Sequence, residues 1–249
     1  LVSCPATKEC AVIDSVLNFN LNTGEVSTGS LDEIIAAINS QGLQLKYILE
    51  THIHADHLSG AYSLQQKLGG QLAISQGILE VQARINRLFN LNPSANQQGA
   101  PFNLLLADEQ LLPLGASQIK VLLTPGHTPC SASFLIEDRL FVGDTLFMPD
   151  YGTARCDFPG ANPHQLYASI YKLLSLPEAT RMYMCHDYLP QGRNHFSHLT
   201  SVAEQLKANI FLQATTSAEA FAKLRQKQDP QIGLPKLIYP ALQVNINAG

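Results

Sequence analysis

Four residues of types that commonly bind metal ions fall within one short run, His52-x-His54-x-Asp56-His57. Burying three imidazoles and a carboxylate without a partner would carry a large free-energy cost. Alternate residues of an extended segment point the same way, so His52 and His54 can face one site. Asp56 and His57 open a helix that we predict from about Asp56 and that ends before Gly69, and from there they can reach a neighbouring position. The run therefore predicts a metal site.

Three further candidate ligands stand where predicted strands run into loops. These are His127, Asp144 and His186, and a strand end is a place where a rigid scaffold presents functional side chains. Taken singly, a histidine is more often a satisfied polar residue than a ligand. Taken with the run at 52–57, the three strengthen the prediction of one shared metal site. The other histidines fall on predicted helix starts or loops, where solvation explains them: His164, His195 and His198.

The predicted elements alternate between strands and helices before a region of paired strands. Strands are predicted at 10–20 and 45–50, and pairs of strands dominate from about residue 104 to 144. A helix then begins with Asn162 as its N-cap and Pro163 at its first position, where proline is favoured. This order predicts two β-sheets covered by helices.

The C-terminal part, from about residue 196, is predicted to be helical and then extended. A helix is predicted over 217–227, with Thr216 as its capping residue. The tail from Pro230 is punctuated by prolines and is predicted to be extended. We interpret residues 1–249 as a single domain, which suits a chain of 249 residues.

Charge, hydropathy and cysteine usage limit the classes of partner. The net charge is −4 and no basic run occurs, so no nucleic-acid partner is expected. No run of about 18 apolar residues occurs, and no signal-peptide pattern is visible, so no membrane partner is expected. The five cysteines are irregularly spaced, which predicts free thiols in a reducing compartment and therefore a cytoplasmic location.

The ordered set of histidines and aspartates resembles that of the metallo-β-lactamase superfamily. The resemblance implies an α/β fold, the four-layer αββα sandwich of the metallo-β-lactamase type, with the site at one edge between the sheets. The segment at 155–158 (Arg-Cys-Asp-Phe) and the pattern at 186–188 (His-Asp-Tyr) are similar to those of the persulfide dioxygenases, also called sulfur dioxygenases. The loop that precedes residue 155 is closer to the bacterial members than to the mitochondrial ones.

This resemblance implies one Fe(II) per chain, bound by His52, His127 and Asp144. Two imidazoles and one carboxylate form a facial triad that suits Fe(II) and leaves coordination positions open. The remaining members of the set would orient the ligands or occupy a second metal position: His54, Asp56, His57 and His186. Substrate or catalytic support is expected from Arg155, Asp157 and Tyr188.

The implied reaction is the oxidation of a thiol persulfide, such as glutathione persulfide, by O2 to sulfite and the thiol. Arg155 is expected either to bind a carboxylate of the thiol carrier or to form a structural ion pair with Asp157. The expected partners are therefore a small-molecule thiol persulfide and O2. A homodimer is one assembly that the sequence allows.

Two other functions stay open on the residues alone. In a dinuclear hydrolase of the glyoxalase II type, Asp144 would bridge two zinc ions and a shared hydroxide would attack a glutathione thioester. A non-catalytic metal-binding or sensor protein on the same fold is the third hypothesis, and the complete ligand set argues against it. A nuclease is disfavoured because the net charge is negative.

Overall fold

The computed structural model describes residues 1–214 and 217–249. The chain divides into two compact units by its internal contacts. Unit 1 comprises Leu1–Ala107, Leu111–Gln118 and Leu234–Gly249, and unit 2 comprises Asp108–Gln110 and Ile119–Gly233.

The elements of both units, in chain order, have the following bounds. The strands are β1 (Val2–Ser3), β2 (Glu9–Ile13), β3 (Val16–Phe19), β4 (Val26–Ser27), β5 (Gln44–Leu49), β6 (Leu58–Ser59), β7 (Gln71–Ser75), β8 (Leu104–Leu106), β9 (Leu111–Leu114), β10 (Ser117–Leu123), β11 (Ala132–Ile136), β12 (Arg139–Phe141), β13 (Arg181–Tyr183) and β14 (Leu199–Ser201). The α-helices are α1 (Gly29–Ser40), α2 (Ala61–Leu68), α3 (Ile78–Phe89), α4 (Pro163–Leu174), α5 (Val202–Ala208), α6 (Ile210–Ala214), α7 (Ala218–Gln228) and α8 (Ile238–Asn245). Short 3-10 helices cover Pro93–Gly99 and Asp229–Gln231.

The larger sheet of unit 1 is mostly parallel and runs in the order β1-β2-β5-β7-β8. Because β2, β5, β7 and β8 pair in parallel, crossover connections must join them. The helices α1, α2 and α3 lie in those connections, and each buries apolar side chains such as Leu31, Leu64 and Ile78. Ile13 pairs with Leu49, so the parallel strands β2 and β5 end side by side.

The helix predicted from about Asp56 forms as α2 and ends before Gly69 as predicted, but its predicted start is wrong, because residues 56–60 are not helical. Strand β6 forms there instead and pairs with β3, and α2 follows it. The carbonyl oxygens of His54 and His57 accept hydrogen bonds from the side chain of Asn245 rather than from helical N–H groups. The residues between β5 and β6 therefore form a loop that carries the histidine run.

The sheet strands within unit 2 run in the order β14-β13-β12-β11-β10. The pair β12–β13 is parallel, whereas β10–β11, β11–β12 and β13–β14 are antiparallel. Helix α4 begins as predicted, because the side chain of Asn162 accepts hydrogen bonds from the backbone N–H groups of His164 and Gln165. Its apolar face is buried in the core of the unit: Leu166, Ile170, Leu173 and Leu174.

The C-terminal elements differ from the prediction in two places. Helix α7 has Ser217 as its N-cap, and the predicted capping residue, Thr216, lies outside the described residues. The tail is not wholly extended, because α8 forms at Ile238–Asn245. Pro240 lies in the first turn of α8, where a backbone N–H has no helical partner, so the proline does not oppose the helix.

The structure can be compared with two predictions from the sequence, one on the state of the cysteines and one on membrane-crossing segments. The five cysteines are thiols that form no disulfide, as predicted; Cys4, Cys10 and Cys130 are buried, and Cys156 and Cys185 are partly buried. Within residues 1–214 and 217–249, no helix combines the length and the apolar character that crossing a membrane requires.

Candidate metal centre

The carboxylate of Asp14 organises the histidine run of unit 1. Asp14 follows β2 directly, and its backbone N–H donates to the carbonyl of Leu49 at 2.9 Å. Oδ1 of Asp14 accepts from the backbone N–H of Thr51 at 2.7 Å, and Oδ2 accepts from the Thr51 hydroxyl at 2.8 Å. Oδ1 also lies 3.2 Å from Nε2 of His54. One carboxylate thus contacts His54 directly and Thr51 through two hydrogen bonds.

The tautomer of His52 follows from these contacts. The Thr51 hydroxyl donates its single hydrogen to Asp14, and its oxygen lies 2.9 Å from Nδ1 of His52. Nδ1 must therefore donate to that oxygen, which leaves the lone pair of the ring on Nε2. A neutral imidazole whose other nitrogen is fixed in this way is the form that binds metal ions. His52 is also buried, with only 1% of its surface exposed.

His54 is fully buried next to two carboxyl groups. Burial alone would lower the pKa of the ring, but the charges of Asp14 and Glu50 outweigh burial and raise the pKa to about 10. Nε2 faces Asp14, whereas buried Nδ1 has no hydrogen-bond partner among the described residues. The negative field that favours a proton on Nδ1 also favours a metal cation there, which would displace that proton.

His57 supplies another buried imidazole nitrogen. Its Nδ1 lies 3.3 Å from Oδ2 of Asp56, so Nδ1 donates to the carboxylate and Nε2 carries the lone pair. Burial and the charge of His54 lower the pKa of His57, which favours the neutral, metal-binding form. Within the described part of the chain, Nε2 of His57 is buried without a hydrogen-bond partner. The ligand atoms of His54, Asp56 and His57 lie within 4.8 Å of one another.

Glu50 is a buried carboxyl group that adds to the field around His54. Burial, together with the charge of Asp14, raises the pKa of Glu50 to about 8. One oxygen accepts from the hydroxyl of Ser59 at 2.9 Å, and the other lies 4.0 Å from Nε2 of His54. Asp14 shows the opposite shift, because the charge of His54 and the hydrogen bonds from His54 and Thr51 outweigh burial and lower its pKa.

In unit 2, a backbone carbonyl fixes the tautomer of His127. Nδ1 of His127 lies 2.9 Å from the carbonyl oxygen of Arg155. A carbonyl oxygen only accepts, so Nδ1 carries the proton and Nε2 carries the lone pair. The loop that bears His127 approaches α4 closely at Gly126, which has a φ of +144° and where a Cβ would lie 2.3 Å from backbone atoms of Leu166. Only glycine permits this approach.

The carboxylate of Asp144 lies near two histidines of unit 2. Its Oδ2 lies 3.8 Å from Nε2 of His127, and its Oδ1 lies 3.6 Å from Nε2 of His186. These separations are too long for hydrogen bonds, so the three side chains present donor atoms to a shared space. Three of the residues predicted as ligands or second-metal groups therefore come together within unit 2.

The guanidinium of Arg155 forms hydrogen bonds within the protein. It forms two hydrogen bonds with the carboxylate of Asp157, at 2.6 and 2.7 Å, and donates to the carbonyl oxygens of Ile232 and Gly233. The Asp157 carboxylate raises the pKa of Arg155, and Arg155 lowers the pKa of Asp157 through the same hydrogen bonds. The structure thus contains the ion pair that one of the two hypotheses predicts. Binding of a substrate carboxylate by Arg155 stays a prediction.

Tyr188 is half exposed and belongs to an aromatic group in unit 2. It stacks on Tyr151 with ring centroids 4.6 Å apart and meets Phe147 edge-on at 5.2 Å. Its ring centroid lies 5.7 Å from that of His186. The phenol therefore lies beside one of the candidate ligands, as a supporting role would require.

The family model of the metallo-β-lactamase superfamily matches residues 6–186, which include every candidate ligand. The chain belongs to this superfamily. It has the metallo-β-lactamase fold, a mixed α/β arrangement of several sheets and helices, and the predicted fold class is confirmed.

Relatives of this superfamily member carry different activity names. It is 43% identical to a "Probable metallo-hydrolase" of Burkholderia pseudomallei over 251 residues, which cover 97% of this chain and 85% of that protein. It is 44% identical to "Glyoxylase B2" of Dictyostelium discoideum over 245 residues, which cover 98% of this chain and 84% of that protein. The crystal structure of ETHE1 from Myxococcus xanthus has a TM-score of 0.79 and 28% identity, covering 100% of this chain and 92% of that chain.

The residues of both units fit the metal that the superfamily implies. Unit 1 offers buried imidazole nitrogens, among them Nδ1 of His54 and Nε2 of His57, and unit 2 offers His127 and Asp144 around one space. Imidazole and carboxylate donors suit both Fe(II) and Zn(II). The chain is therefore a metal-dependent enzyme of the metallo-β-lactamase superfamily.

Sequence reasoning missed the residues that orient the histidines. Asp14 and Glu50 were not singled out, although each directly follows a strand, which is the position that drew attention to Asp144. The roles of Thr51 and Asn245 depend on hydrogen bonds, and no spacing in the sequence indicates those bonds.

Proposed function

We propose that this enzyme is a persulfide dioxygenase that binds one Fe(II) through His52, His127 and Asp144. The reaction is R–S–SH + O2 + H2O → R–SH + H2SO3, in which the outer sulfur is oxidised and O2 is reduced. The similarity to ETHE1 over the whole chain fits this proposal. The Arg-Cys-Asp-Phe segment at 155–158, which resembles that of the persulfide dioxygenases, supports it as well.

The proposal rests mainly on one observation, that two histidines have the same tautomer. His52 and His127 each have Nδ1 tied to an oxygen of the chain, so each keeps its lone pair on Nε2. Asp144 adds a buried carboxylate beside His127. Two imidazoles and one carboxylate are the donor set of non-haem Fe(II) oxygenases, which leaves open positions for substrate and O2.

In our proposal, His57 and Asp56 support the binding of one ion and do not bind a second. Nδ1 of His57 engages the carboxylate of Asp56, so these two side chains orient each other. In our proposal, they and His186 hold bound water and the ligand side chains in place rather than a second ion. His54 has the same orienting role, because Nε2 faces Asp14 and its positive charge balances that carboxylate.

The residues around the proposed iron site shield its ligands from water and fix the orientation of its imidazoles. When bound, Fe(II) supplies the one-electron chemistry that O2 needs to react with a sulfur anion. His52, His127 and Asp144 are each less than 10% exposed, so bulk water has little access to these side chains. Fixed hydrogen bonds at Nδ1 keep both imidazoles in the binding orientation, which holds the reactants in fixed geometry.

A dinuclear zinc hydrolase acting on a glutathione thioester is the second candidate function. The names of the relatives support it, because a probable metallo-hydrolase and a glyoxylase are 43% and 44% identical to this chain. The sequence also contains the residue types of a ligand set for two ions, since it has Asp56, His57 and His186 in addition to the proposed iron ligands. Asp144 would then bridge two zinc ions.

Oxygen consumption separates the two functions. We would purify the protein without oxygen, load it with Fe(II) or with Zn(II), and supply glutathione persulfide or S-lactoylglutathione. We expect the Fe(II) form to consume one O2 for each sulfite formed from the persulfide. Thioester cleavage by the Zn(II) form with no oxygen uptake by either form would refute the dioxygenase. His164→Ala is the control variant, since His164 is exposed at the start of α4, and it should behave like the wild type.

A further inference from the structure

The side chain of Asn245, at the end of α8, is bound to the backbone of the histidine run. Its amide NH2 donates to the carbonyl oxygen of His54 at 2.9 Å and to that of His57 at 2.8 Å. Its amide oxygen accepts from the backbone N–H of Ser59 at 2.8 Å. Asn245 is 2% exposed, so all three contacts are shielded from water. One buried side chain thus satisfies three backbone groups within six residues.

These hydrogen bonds replace regular structure in the run. The residues between β5 and β6 are neither helix nor strand, so side chains supply hydrogen-bond partners that a helix or sheet would otherwise provide. Because Asn245 fixes two carbonyls three residues apart, it sets the backbone directions of His54 and His57. The direction of a side chain follows from its backbone, so the imidazoles are aimed through these bonds.

The rest of the C-terminal segment holds Asn245 against the loop. The backbone N–H of Tyr62 donates to the carbonyl of Ala248 at 2.8 Å, and the amide of Gln82 donates to the carbonyl of Ile246 at 2.9 Å. At Gly249, which has a φ of +106°, a Cβ would lie 2.1 Å from the carbonyl oxygen of Ser59. Gly249 therefore contacts Ser59, just after the histidine run, without space for a side chain.

We propose that Asn245 is a positioning residue for the metal-binding segment and that the hydrogen bonds of its side chain slow the release of the metal. The inference rests on the metal-binding role of His54 and His57 in the proposed function, as ligands or as groups that orient ligands. It does not depend on whether the enzyme is a dioxygenase or a hydrolase. Removing such an orienting contact typically costs about 10- to 100-fold in metal affinity.

Metal release measures this role directly. Asn245→Ala and the wild type would be loaded with Fe(II) without oxygen, or with Zn(II), and the release of each ion to a chelator would be timed. We expect release from Asn245→Ala to be about 10- to 100-fold faster. Asn245→Asp should be at least as fast, because it replaces the donor NH2 with an acceptor facing two carbonyls. If Asn245→Asp does not fold, Asn245→Ala decides alone.

A variant on the same helix separates positioning from stability. Leu242 is buried on α8 and its side chain is apolar, so Leu242→Ala should lower the free energy of unfolding but leave metal release unchanged. Equal release from Asn245→Ala and wild type would overturn the proposal. Equal acceleration in Asn245→Ala and Leu242→Ala would also overturn it, because general loosening would then explain the effect. A wild type that retains no metal would contradict both this inference and the proposed function.

Discussion

Nδ1 of His127 lies 2.9 Å from the carbonyl oxygen of Arg155, and this contact links a candidate metal ligand to a buried ion pair. The next residue, Cys156, donates its backbone N–H to Oδ2 of Asp229 at 2.6 Å. Asp229 is paired with Arg225, and both side chains are about 3% exposed. The segment that fixes the tautomer of His127 is therefore itself held by α7 and the turn that follows it.

Breaking this ion pair should destabilise the protein strongly. Arg225→Met leaves the carboxylate of Asp229 buried without its partner, so we expect the free energy of unfolding to fall by about 3–5 kcal/mol. Arg84→Met is the control, because Arg84 pairs with Glu80 at a half-exposed site where ion pairs contribute little. Urea titrations of both variants provide the measurement. Equal stabilities for the two variants would show that the buried pair is not a structural element.

Asp14→Asn should weaken metal binding without removing any proposed ligand. The change weakens the contact between Asp14 and Nε2 of His54. It also weakens the hydrogen bond that Asp14 accepts from the Thr51 hydroxyl, and that hydroxyl fixes the tautomer of His52. We expect the metal affinity to fall by about 10- to 100-fold, as for other residues that orient ligands. Competition with a chromogenic chelator measures it. Asp32→Asn, at an exposed ion pair with Lys67, should bind metal like the wild type; a loss of the same size there would contradict the assignment.

Local signals in the sequence indicated candidate ligands and the start of α4, whereas the fold class was implied by the resemblance to the superfamily. The run at 52–57 and the Asn162–Pro163 helix start depend on neighbouring residues, and spacing alone indicates them. Helix α2 begins later than predicted, at Ala61, because the carbonyl of His57 accepts a hydrogen bond from Asn245, nearly two hundred residues away in the sequence. Asp14 was missed for a related reason, since its role depends on the register between β2 and β5. Contacts between distant segments have no signature in a single sequence.

The ion pair of Asp187 and Arg193 should make stability sensitive to acid. Hydrogen bonds from Arg193 hold the pKa of Asp187 below its usual range, and the backbone N–H of Ser197 contributes at 2.6 Å. A carboxyl group whose folded pKa is depressed stabilises the fold above its unfolded pKa and loses that contribution as the pH falls. We expect metal-free protein to lose stability between about pH 5 and about pH 2.

Asp187→Asn tests the source of that sensitivity. The variant lacks the titrating group, so its free energy of unfolding should depend less steeply on pH over the same acid range. Urea unfolding of both proteins at a series of pH values gives the two profiles. Parallel profiles would mean that other carboxylates account for the acid sensitivity.

Variants of Arg155 and Asp157 distinguish a structural role from substrate binding. Because the guanidinium is bound by the Asp157 carboxylate and two carbonyls, we expect Arg155→Gln and Asp157→Asn to lower stability by similar amounts, about 1–2 kcal/mol. We also expect both to change KM for the persulfide to a similar, small extent. A large rise in KM for Arg155→Gln alone would favour a direct contact between Arg155 and a carboxylate of the substrate.

The metal content of Asp144→Ala, compared with that of the wild type, tests the central claim most directly. Both proteins would be purified and loaded with Fe(II) without oxygen, and the iron per chain would be determined by elemental analysis. Our account predicts one iron per wild-type chain and almost none in Asp144→Ala, because Asp144 supplies the only carboxylate of the proposed triad. Full iron loading in Asp144→Ala, or two ions per wild-type chain, would contradict it.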